Sequence, residues 1–194
     1  MELGRALLLA SALLCAGCAS NAVVHEIRPL PDPKTLMPAL ENRIYALIAD
    51  ERRKLDPNAK VLALDSELVG VARAKSSDMA RLNYLAHTSP EGKTSASIIM
   101  DYDAGFQGLL GENIAEQHYL KAYAIDVDVF AHRFVDLWLA SKSHRENIAY
   151  PAFDRTGIGA AVNSDGIYVT ELFATDLGLS SPTPQGSRED PNAP

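Results

Sequence analysis

Imidazole and carboxylate side chains occur in three short segments of this sequence whose residue types could do chemistry. His87 lies in Leu-Ala-His-Thr-Ser-Pro, Glu112 in Gly-Glu-Asn-Ile-Ala, and His144 in Ser-His-Arg-Glu-Asn-Ile. Neutral imidazole and carboxylate are the ligand types of an open zinc site, which keeps one position for water. Zinc lowers the pKa of that water to about 7 and so creates a nucleophile. Taken singly, each segment is a weak signal for such a site.

Each of the three residues also has a purely structural interpretation. His87 could be a hydrogen-bonded residue of a turn beside Thr-Ser-Pro. Ser143 and Glu146 fit a capping box, which would put His144 in the first turn of a short helix. The helix dipole there favours neutral imidazole, which is also the metal-binding form, so the two interpretations of this histidine are compatible. Glu112 could begin a helix, where negative charge is favoured.

Helical periodicity predicts the elements that would position these segments. Four segments carry apolar residues at the spacing of an amphipathic helix. Asp56-Pro57-Asn58 ends the first helix, and Asp65 or Ser66 caps the second. The predicted helices span residues 40–55, 66–84, 94–100 and 126–139, and their predicted inward side chains include Leu40, Ile44, Leu68, Met79, Leu82, Phe130, Phe134, Leu137 and Trp138.

Strands are predicted mainly at the end of the chain. Residues 156–162 and 167–173 are rich in apolar and β-branched residues, and the turn Asn-Ser-Asp-Gly at 163–166 joins them into a hairpin. A further short strand is predicted at 60–64. Helices that precede an antiparallel hairpin are typical of an α+β fold, a small sheet covered by helices.

Composition excludes several classes of function. The chain has 194 residues and a formal net charge of −7, which gives no electrostatic footprint for nucleic acid. It contains no Gly-rich phosphate-binding loop and no internal repeat. Its two cysteines are Cys15 and Cys18, so the remainder of the chain can form neither a disulfide nor a thiolate zinc site.

The first residues predict export and attachment to a membrane. Arg5 precedes a short apolar run at residues 6–14, which is too short to span a bilayer and is typical of a secretory signal. The segment Leu-Cys-Ala-Gly-Cys at 14–18 resembles a bacterial lipobox, in which Cys18 becomes the lipidated first residue, with a palmitate-type acyl anchor. The alternative is an ordinary signal peptide that is cleaved nearby and leaves Cys18 free.

These patterns divide the chain into four parts. Residues 1–17 are predicted to be a lipoprotein signal peptide, and the proline-containing residues 18–40 a tether. The folded domain is predicted over 41–175. Residues 176–194 combine Pro with Ser, Gly and Asp and are predicted to be disordered.

Together, the three histidine and glutamate segments and the final hairpin resemble the bacterial branch of the CAP (SCP-like) superfamily. The family pattern is His-Thr-Ser-Pro, then Gly-Glu-Asn-Ile, then a Trp-headed helix that ends in His-Arg-x-Asn-Ile, then the hairpin, and here it covers residues 41–175. The resemblance implies an α-β-α sandwich with a central antiparallel sheet. It also implies that His87, Glu112 and His144 share a cleft, in which the histidines, with Glu112 as a further candidate ligand, bind Zn²⁺ or another divalent cation.

A second acid of the family cleft is missing from its usual place. Where many eukaryotic members have this acid, three residues after the Trp, the chain has Ser141. Glu171 is a candidate substitute, because it shares strand parity with Ile167, Val169 and Phe173. A carboxylate on that apolar face would need a partner. The alternative is that Glu171 reaches water at the edge of the strand.

Three functions are compatible with this resemblance. The first, which we favour, is a membrane-anchored extracytoplasmic binding protein that holds a divalent metal, a small molecule or a lipid. The second is a metal-dependent hydrolase of peptides or esters that uses His87, Glu112 and His144; the sequence contains no nucleophile elbow and no His-Glu-x-x-His motif. The third is a structural envelope protein.

The amides of Asn113 and Asn147 are expected to tie loops together.

Overall fold

The computed structural model describes residues 29–176, which contain five helices and four strands. In this part of the chain no helix is both long and apolar enough to cross a bilayer. The elements in chain order are α1 (Pro33–Leu55), β1 (Ala63–Leu64), α2 (Ser66–Leu82), α3 (Ser95–Tyr102), β2 (Gly108–His118), α4 (Val127–Ala140), α5 (Lys142–Ala149), β3 (Arg155–Val162) and β4 (Gly166–Asp176).

The first helix begins earlier than the sequence patterns indicate. Helix α1 starts at Pro33, so the prediction of a tether that reaches residue 40 is wrong for residues 33–40. Proline is well tolerated at the first helical position, where its missing N–H would have no partner in any case. The side chain of Asp32 caps the helix by accepting a hydrogen bond of 3.0 Å from Lys34 N. The helix continues through Pro38.

Three helices begin at or within one residue of their predicted starts, and Asp65, one of the two residues predicted to cap α2, is confirmed as its cap. Asp65, Thr94 and Asp126 are the N-caps of α2, α3 and α4, and the side chain of each accepts a backbone N–H from the first turn. The capping box predicted for α5 is wrong. Its N-cap is Ser141, which makes no side-chain capping bond, and His144 nevertheless lies in the first turn.

A four-stranded sheet in the order β1-β3-β4-β2 forms the centre of the molecule. Strands β3 and β4 are the predicted hairpin, and β2 pairs antiparallel with β4 over its whole length. Strand β1 pairs parallel with β3, so the sheet is mixed rather than purely antiparallel. The segment that contains Glu112 is strand β2, and the alternative that Glu112 begins a helix is therefore wrong.

Helices cover both faces of the sheet, which makes the α-β-α sandwich. On one face, Ile167, Val169 and Phe173 of β4 pack in a core shared with α1, α4 and α5. On the other face, Leu172 and Ala174 pack against α2 and α3. Most predicted inward residues are buried, including Trp138 at 0% exposure, whereas the predicted inward residues Leu82 and Leu137 are 36% and 44% exposed.

Candidate functional site: a His–Glu pair at the edge strand

Strand β2 carries the glutamate of the candidate site at the edge of the sheet. Glu112 pairs with Leu172 across β2 and β4, and its side chain therefore points to the face covered by α2 and α3. Only 12% of the Glu112 side chain is exposed. A carboxylate that is this buried needs hydrogen-bond donors.

Two side chains from different elements supply these donors. His87 Nδ1, in the segment after α2, lies 2.5 Å from Glu112 Oε1. The hydroxyl of Ser95, the first residue of α3, donates to Glu112 Oε2. Both carboxylate oxygens are therefore engaged, and the imidazole of His87 is oriented through Nδ1. Its other nitrogen, Nε2, belongs to a side chain that is 59% exposed.

A buried lysine of α2 holds the loop that carries His87. Lys75 of α2 is 1% exposed, and its Nζ donates to the carbonyl oxygen of His87 at 2.9 Å and to Tyr84 Oη at 3.3 Å. Burial lowers the pKa of Lys75. Further along the loop, Ser89 Oγ accepts the backbone N–H groups of Glu91 and Lys93. The carbonyl of His87 and the turn from Ser89 to Lys93 are therefore each held by side-chain hydrogen bonds.

The second histidine approaches from the other helical layer. His144 lies in the first turn of α5 and is partly buried. Burial lowers its pKa below the ordinary value, and the positive charge of a protonated His87 lowers it further. The charge of His87 is thus part of the electrostatic environment of His144. His144 is neutral at neutral pH, which is the form that binds metals.

Two amide side chains, the buried Asn113 and the partly buried Asn147, connect α5 to β2. Asn113 Nδ2 donates to the carbonyl oxygen of His144 at 3.2 Å. Asn147 Nδ2 donates to the carbonyl oxygen of Glu112 at 3.2 Å and to Asn113 Oδ1 at 2.9 Å. The expectation that these amides tie segments together is confirmed. They fix the backbone of His144 against the strand that carries Glu112.

The structure places Glu171 away from this group. It pairs with Asn113 and Ile158 across the sheet, so its side chain lies on the face opposite to Glu112. Glu171 is 0% exposed, and neither of its carboxylate oxygens has a hydrogen-bond partner. The alternative that it reaches water is therefore wrong. The nearby Thr156 hydroxyl donates instead to the carbonyl oxygen of Leu172.

We predict that Glu171→Gln stabilises the protein at neutral pH. Burial raises the pKa of Glu171 well above its ordinary value, although Thr156 and Arg52 lower it to a smaller extent. The folded chain therefore binds more protons than the unfolded chain, and the free energy of unfolding falls as pH rises above the unfolded-state pKa of about 4.3. The neutral amide removes this pH-dependent loss, with an expected gain of about 1–3 kcal/mol at neutral pH.

Urea denaturation across the acidic to neutral range measures this effect. The gain of Glu171→Gln over the wild type should grow with pH and be small near the unfolded-state pKa. Glu146→Gln is the matched control, because the Glu146 side chain is 66% exposed on α5. A stability difference independent of pH would show that Glu171 does not retain its proton on folding.

In the described structure His87, Glu112 and His144 do not form a three-ligand metal site. Among residues 29–176, no group of three or more His, Cys, Asp or Glu side chains is arranged to hold a metal ion. Glu112 is already engaged by His87 and Ser95, which suits it to orient an imidazole. Carboxylates that accept the second N–H of a metal-binding histidine are frequent partners in zinc sites.

Other candidate residues lie outside this group. His118 and His132 are exposed, with side-chain exposures of 75% and 50%, and each lies 3.9 Å from an acid. Ser141 is the N-cap of α5, and its hydroxyl lies 3.2 Å from Ser143 Oγ. Cys18, the signal peptide, residues 18–28 of the tether and all but the first residue of the tail lie outside the described residues.

Sequence reasoning missed two residues of the site. Ser95 bonds directly to Glu112, but in the sequence it is one of two serines at the start of a predicted helix. Lys75 lies on α2 among charged residues and is typical of a solvated helix position. A weak signal for Lys75 was present, since it lies three and four residues from the buried Ala72 and Met79, on the same side of α2.

Comparisons with known proteins agree with this architecture. The model of a family described as "CAP: Cysteine-rich secretory protein family" matches residues 45–175. The chain is 33% identical over 135 residues to the uncharacterized protein YkwD of Bacillus subtilis (strain 168). That alignment covers 70% of this chain and 47% of YkwD, so the chain spans about half the length of this relative.

Solved structures show the same fold. An outer surface protein from Borrelia burgdorferi has a TM-score of 0.59 at 26% identity, covering 71% of this chain and 93% of that one. An extracellular protein of Bacillus anthracis that contains an SCP domain has a TM-score of 0.57 at 30% identity, covering 75% and 44%. NaASP2, solved with Zn²⁺, has a TM-score of 0.50 at 16% identity, covering 74% and 83%, which shows the fold alone.

Proposed function

Because this chain belongs to the CAP, or cysteine-rich secretory protein, family, we propose that it is an envelope protein whose paired histidines bind a divalent metal ion. The ion is held by His87 and His144, and Zn²⁺ is the first candidate because neutral imidazole is one of its preferred ligands. Glu112 acts as the acceptor that orients His87. The remaining coordination positions are left for water or a small ligand.

The contact between His87 and Glu112 carries this proposal. Nδ1 of His87 is taken by Glu112 Oε1 at 2.5 Å, which leaves Nε2 as the nitrogen that can bind a metal. Glu112 is buried and is itself fixed by Ser95, so it holds the exposed imidazole of His87 in one orientation. A surface histidine without a ligand would not require such an orientation. Bound zinc would supply Lewis acidity toward a coordinated oxygen. The residues of the chain orient one imidazole, hold the other neutral and keep α5 against β2.

Zinc titration of the purified chain tests this proposal. We expect micromolar zinc affinity, because only two side chains are available as ligands. His87→Ala and His144→Ala should each weaken binding by at least about tenfold, and Glu112→Gln by roughly tenfold to a hundredfold through loss of imidazole orientation. Binding is measured by competition with a zinc-sensitive dye, and folding of each variant by urea denaturation.

The exposed histidines provide the controls for this titration. His118→Ala and His132→Ala remove imidazoles that lie outside the site, and they should leave the zinc affinity unchanged. Zinc affinity that survives both His87→Ala and His144→Ala in folded protein would contradict the proposal. Ester or peptide hydrolysis that is lost when a chelator is added would identify the protein as a metal-dependent hydrolase.

We further propose that Cys18 anchors the domain to the outside of a membrane through acyl chains. The lipobox-like segment at 14–18 supports this attachment, and two relatives are described as an outer surface protein and an extracellular protein. In this proposal the tether from Cys18 ends where the folded part begins, at Pro33 of α1. Each buried methylene of an acyl chain contributes about 0.8 kcal/mol to membrane binding.

Metabolic labelling with a palmitate analogue in a bacterial host tests the anchor. The wild type and the matched control Cys15→Ser should carry the label and enter the detergent phase, because Cys15 precedes the expected cleavage site. Cys18→Ser should lose both properties. A labelled Cys18→Ser protein would rule out Cys18 as the attachment point.

A further inference from the structure

A cavity separate from the paired histidines lies between α2, the loop that follows it and α3. Its volume is about 390 Å³, within the range of small-molecule sites. Its walls combine charged, hydroxyl and apolar groups, from Ala74, Lys75, Asp78, Tyr84, Ser89, Lys93, Ile98, Asp101 and Tyr102. We call it the Lys75 cavity.

The buried lysine in this cavity has a hydrogen left to donate. An ammonium group has three N–H donors. Lys75 Nζ uses two of them, toward His87 O at 2.9 Å and Tyr84 Oη at 3.3 Å, and the third has no acceptor among residues 29–176. Lys75 is 1% exposed, so bulk water gives this group little compensation. An acceptor that enters the cavity would complete its hydrogen bonding.

A second donor in the same cavity is the hydroxyl of Ser89. Ser89 is 6% exposed, and its Oγ accepts the N–H groups of Glu91 and Lys93. Within the described chain its own O–H donates to no protein acceptor. The buried part of the cavity therefore offers an ammonium and a hydroxyl that are both able to donate.

The remaining charges of the cavity do not reverse this preference. Asp78 Oδ2 accepts from Tyr84 Oη at 2.7 Å, and Asp78 Oδ1 is paired with Arg81 at 2.5 Å, so this carboxylate is already satisfied. Lys93 and Asp101 are exposed residues of opposite charge, and their formal charges cancel. The formal charges that line the cavity therefore balance, and the unused donors of Lys75 and Ser89 at its buried end favour an acceptor such as a carboxylate.

We propose that the Lys75 cavity binds a carboxylate that carries a short apolar group. The carboxylate accepts from Lys75 Nζ and Ser89 Oγ, and the apolar group contacts Ala74, Ile98 and Tyr102. A free organic acid and the C-terminus of a peptide both present this chemistry. The inference goes beyond the proposed metal site, whose histidines do not line this cavity. Binding of the carboxylate requires no metal ion. The cavity and the metal site are nevertheless adjacent, because Lys75 also donates to the carbonyl of His87.

Calorimetric titration of the full chain, with a chelator present, tests this site independently of the metal proposal. The probes are isocaproate and acetyl-alanyl-leucine, each compared with its neutral amide. We expect at least one acid to bind about tenfold or more tightly than its amide, because a hydrogen bond to a charged group contributes roughly 1.5–3 kcal/mol. Binding of isocaproate indicates a free acid, and binding of the peptide alone indicates a C-terminus.

Substitutions locate the bound carboxylate. Lys75→Met and Ser89→Ala should each weaken binding of the acid about tenfold, whereas Lys142→Met, at a side chain 84% exposed on α5, should leave it unchanged. Equal affinities for acid and amide, no binding of either acid at millimolar concentration, or unchanged affinity in folded Lys75→Met would overturn the inference. If Lys75→Met does not fold, the affinity of Ser89→Ala and the comparison of each acid with its amide still test the inference.

Discussion

Replacing Arg52 with Met is expected to lower the free energy of unfolding by about 4 kcal/mol, a large part of the roughly 5–15 kcal/mol that is typical of a domain. Arg52 is 2% exposed in α1. Its guanidinium donates to four carbonyl oxygens, at distances of 2.6 to 2.9 Å. These carbonyls belong to Lys60, Ile148, Tyr150 and Phe153.

The reason for this large effect is that one side chain joins three parts of the chain. Arg52 connects α1 to the segment before β1 and to the end of α5 with the loop after it. Methionine fills a similar volume but donates no hydrogen bond, so four carbonyl oxygens lose a partner. The loss at the end of α5 also loosens the helix that carries His144.

Urea denaturation of Arg52→Met beside Arg53→Met measures the effect. Arg53 is the matched control, because its side chain is 64% exposed and pairs only with Asp50 of the same helix among the described residues. We expect a change of less than about 0.5 kcal/mol for the control. A loss below about 1 kcal/mol for Arg52→Met would mean that water replaces the guanidinium.

A double-mutant cycle separates the role of Arg52 toward Glu171. The positive charge of Arg52 lowers the pKa of Glu171, although the two make no hydrogen bond. Arg52→Met should therefore cost less in a Glu171→Gln background than in the wild type. Additive effects would show that Glu171 is protonated in the folded protein whether or not Arg52 is present.

Gly159→Ala is the second substitution for which we expect a large effect, a loss of about 3 kcal/mol or failure to fold. Strand β3 lies directly under α2, and a Cβ atom at Gly159 would overlap with backbone atoms of Ala72 and Arg73. Backbone cannot rotate away as a flexible side chain can. The helix would have to move off the sheet, and α2 carries Lys75 and leads into the loop of His87.

Gly70→Ala is the control for this prediction, because its Cβ would meet no atom within 4 Å. Gly70 lies inside α2, so alanine should stabilise the protein by roughly 0.5–1 kcal/mol through helix propensity. Thermal unfolding of the two variants should therefore shift in opposite directions. Wild-type stability in Gly159→Ala would mean that the separation of α2 and β3 is adjustable.

Local sequence patterns are sufficient to predict most of the helices, the hairpin and the family. The caps Asp65, Thr94 and Asp126 are short-range hydrogen bonds between a side chain and the next turn, and such signals are visible in sequence. The hairpin turn at 163–166 is equally local. Prediction fails where two local signals compete, as at Pro33, because proline is typical both of a tether and of the first position of a helix.

The sequence by itself determined which residue types are available, where most helices begin, and that His87, Glu112 and His144 follow a family pattern. Only the tertiary structure decided that Glu112 bonds His87 and Ser95, that Glu171 lies on the opposite face, and that Lys75 is buried. The physical reason is distance along the chain. Partners such as Glu112 and His87 are brought together by the packing of β2 against two helical layers, and that packing depends on the whole core rather than on any local pattern.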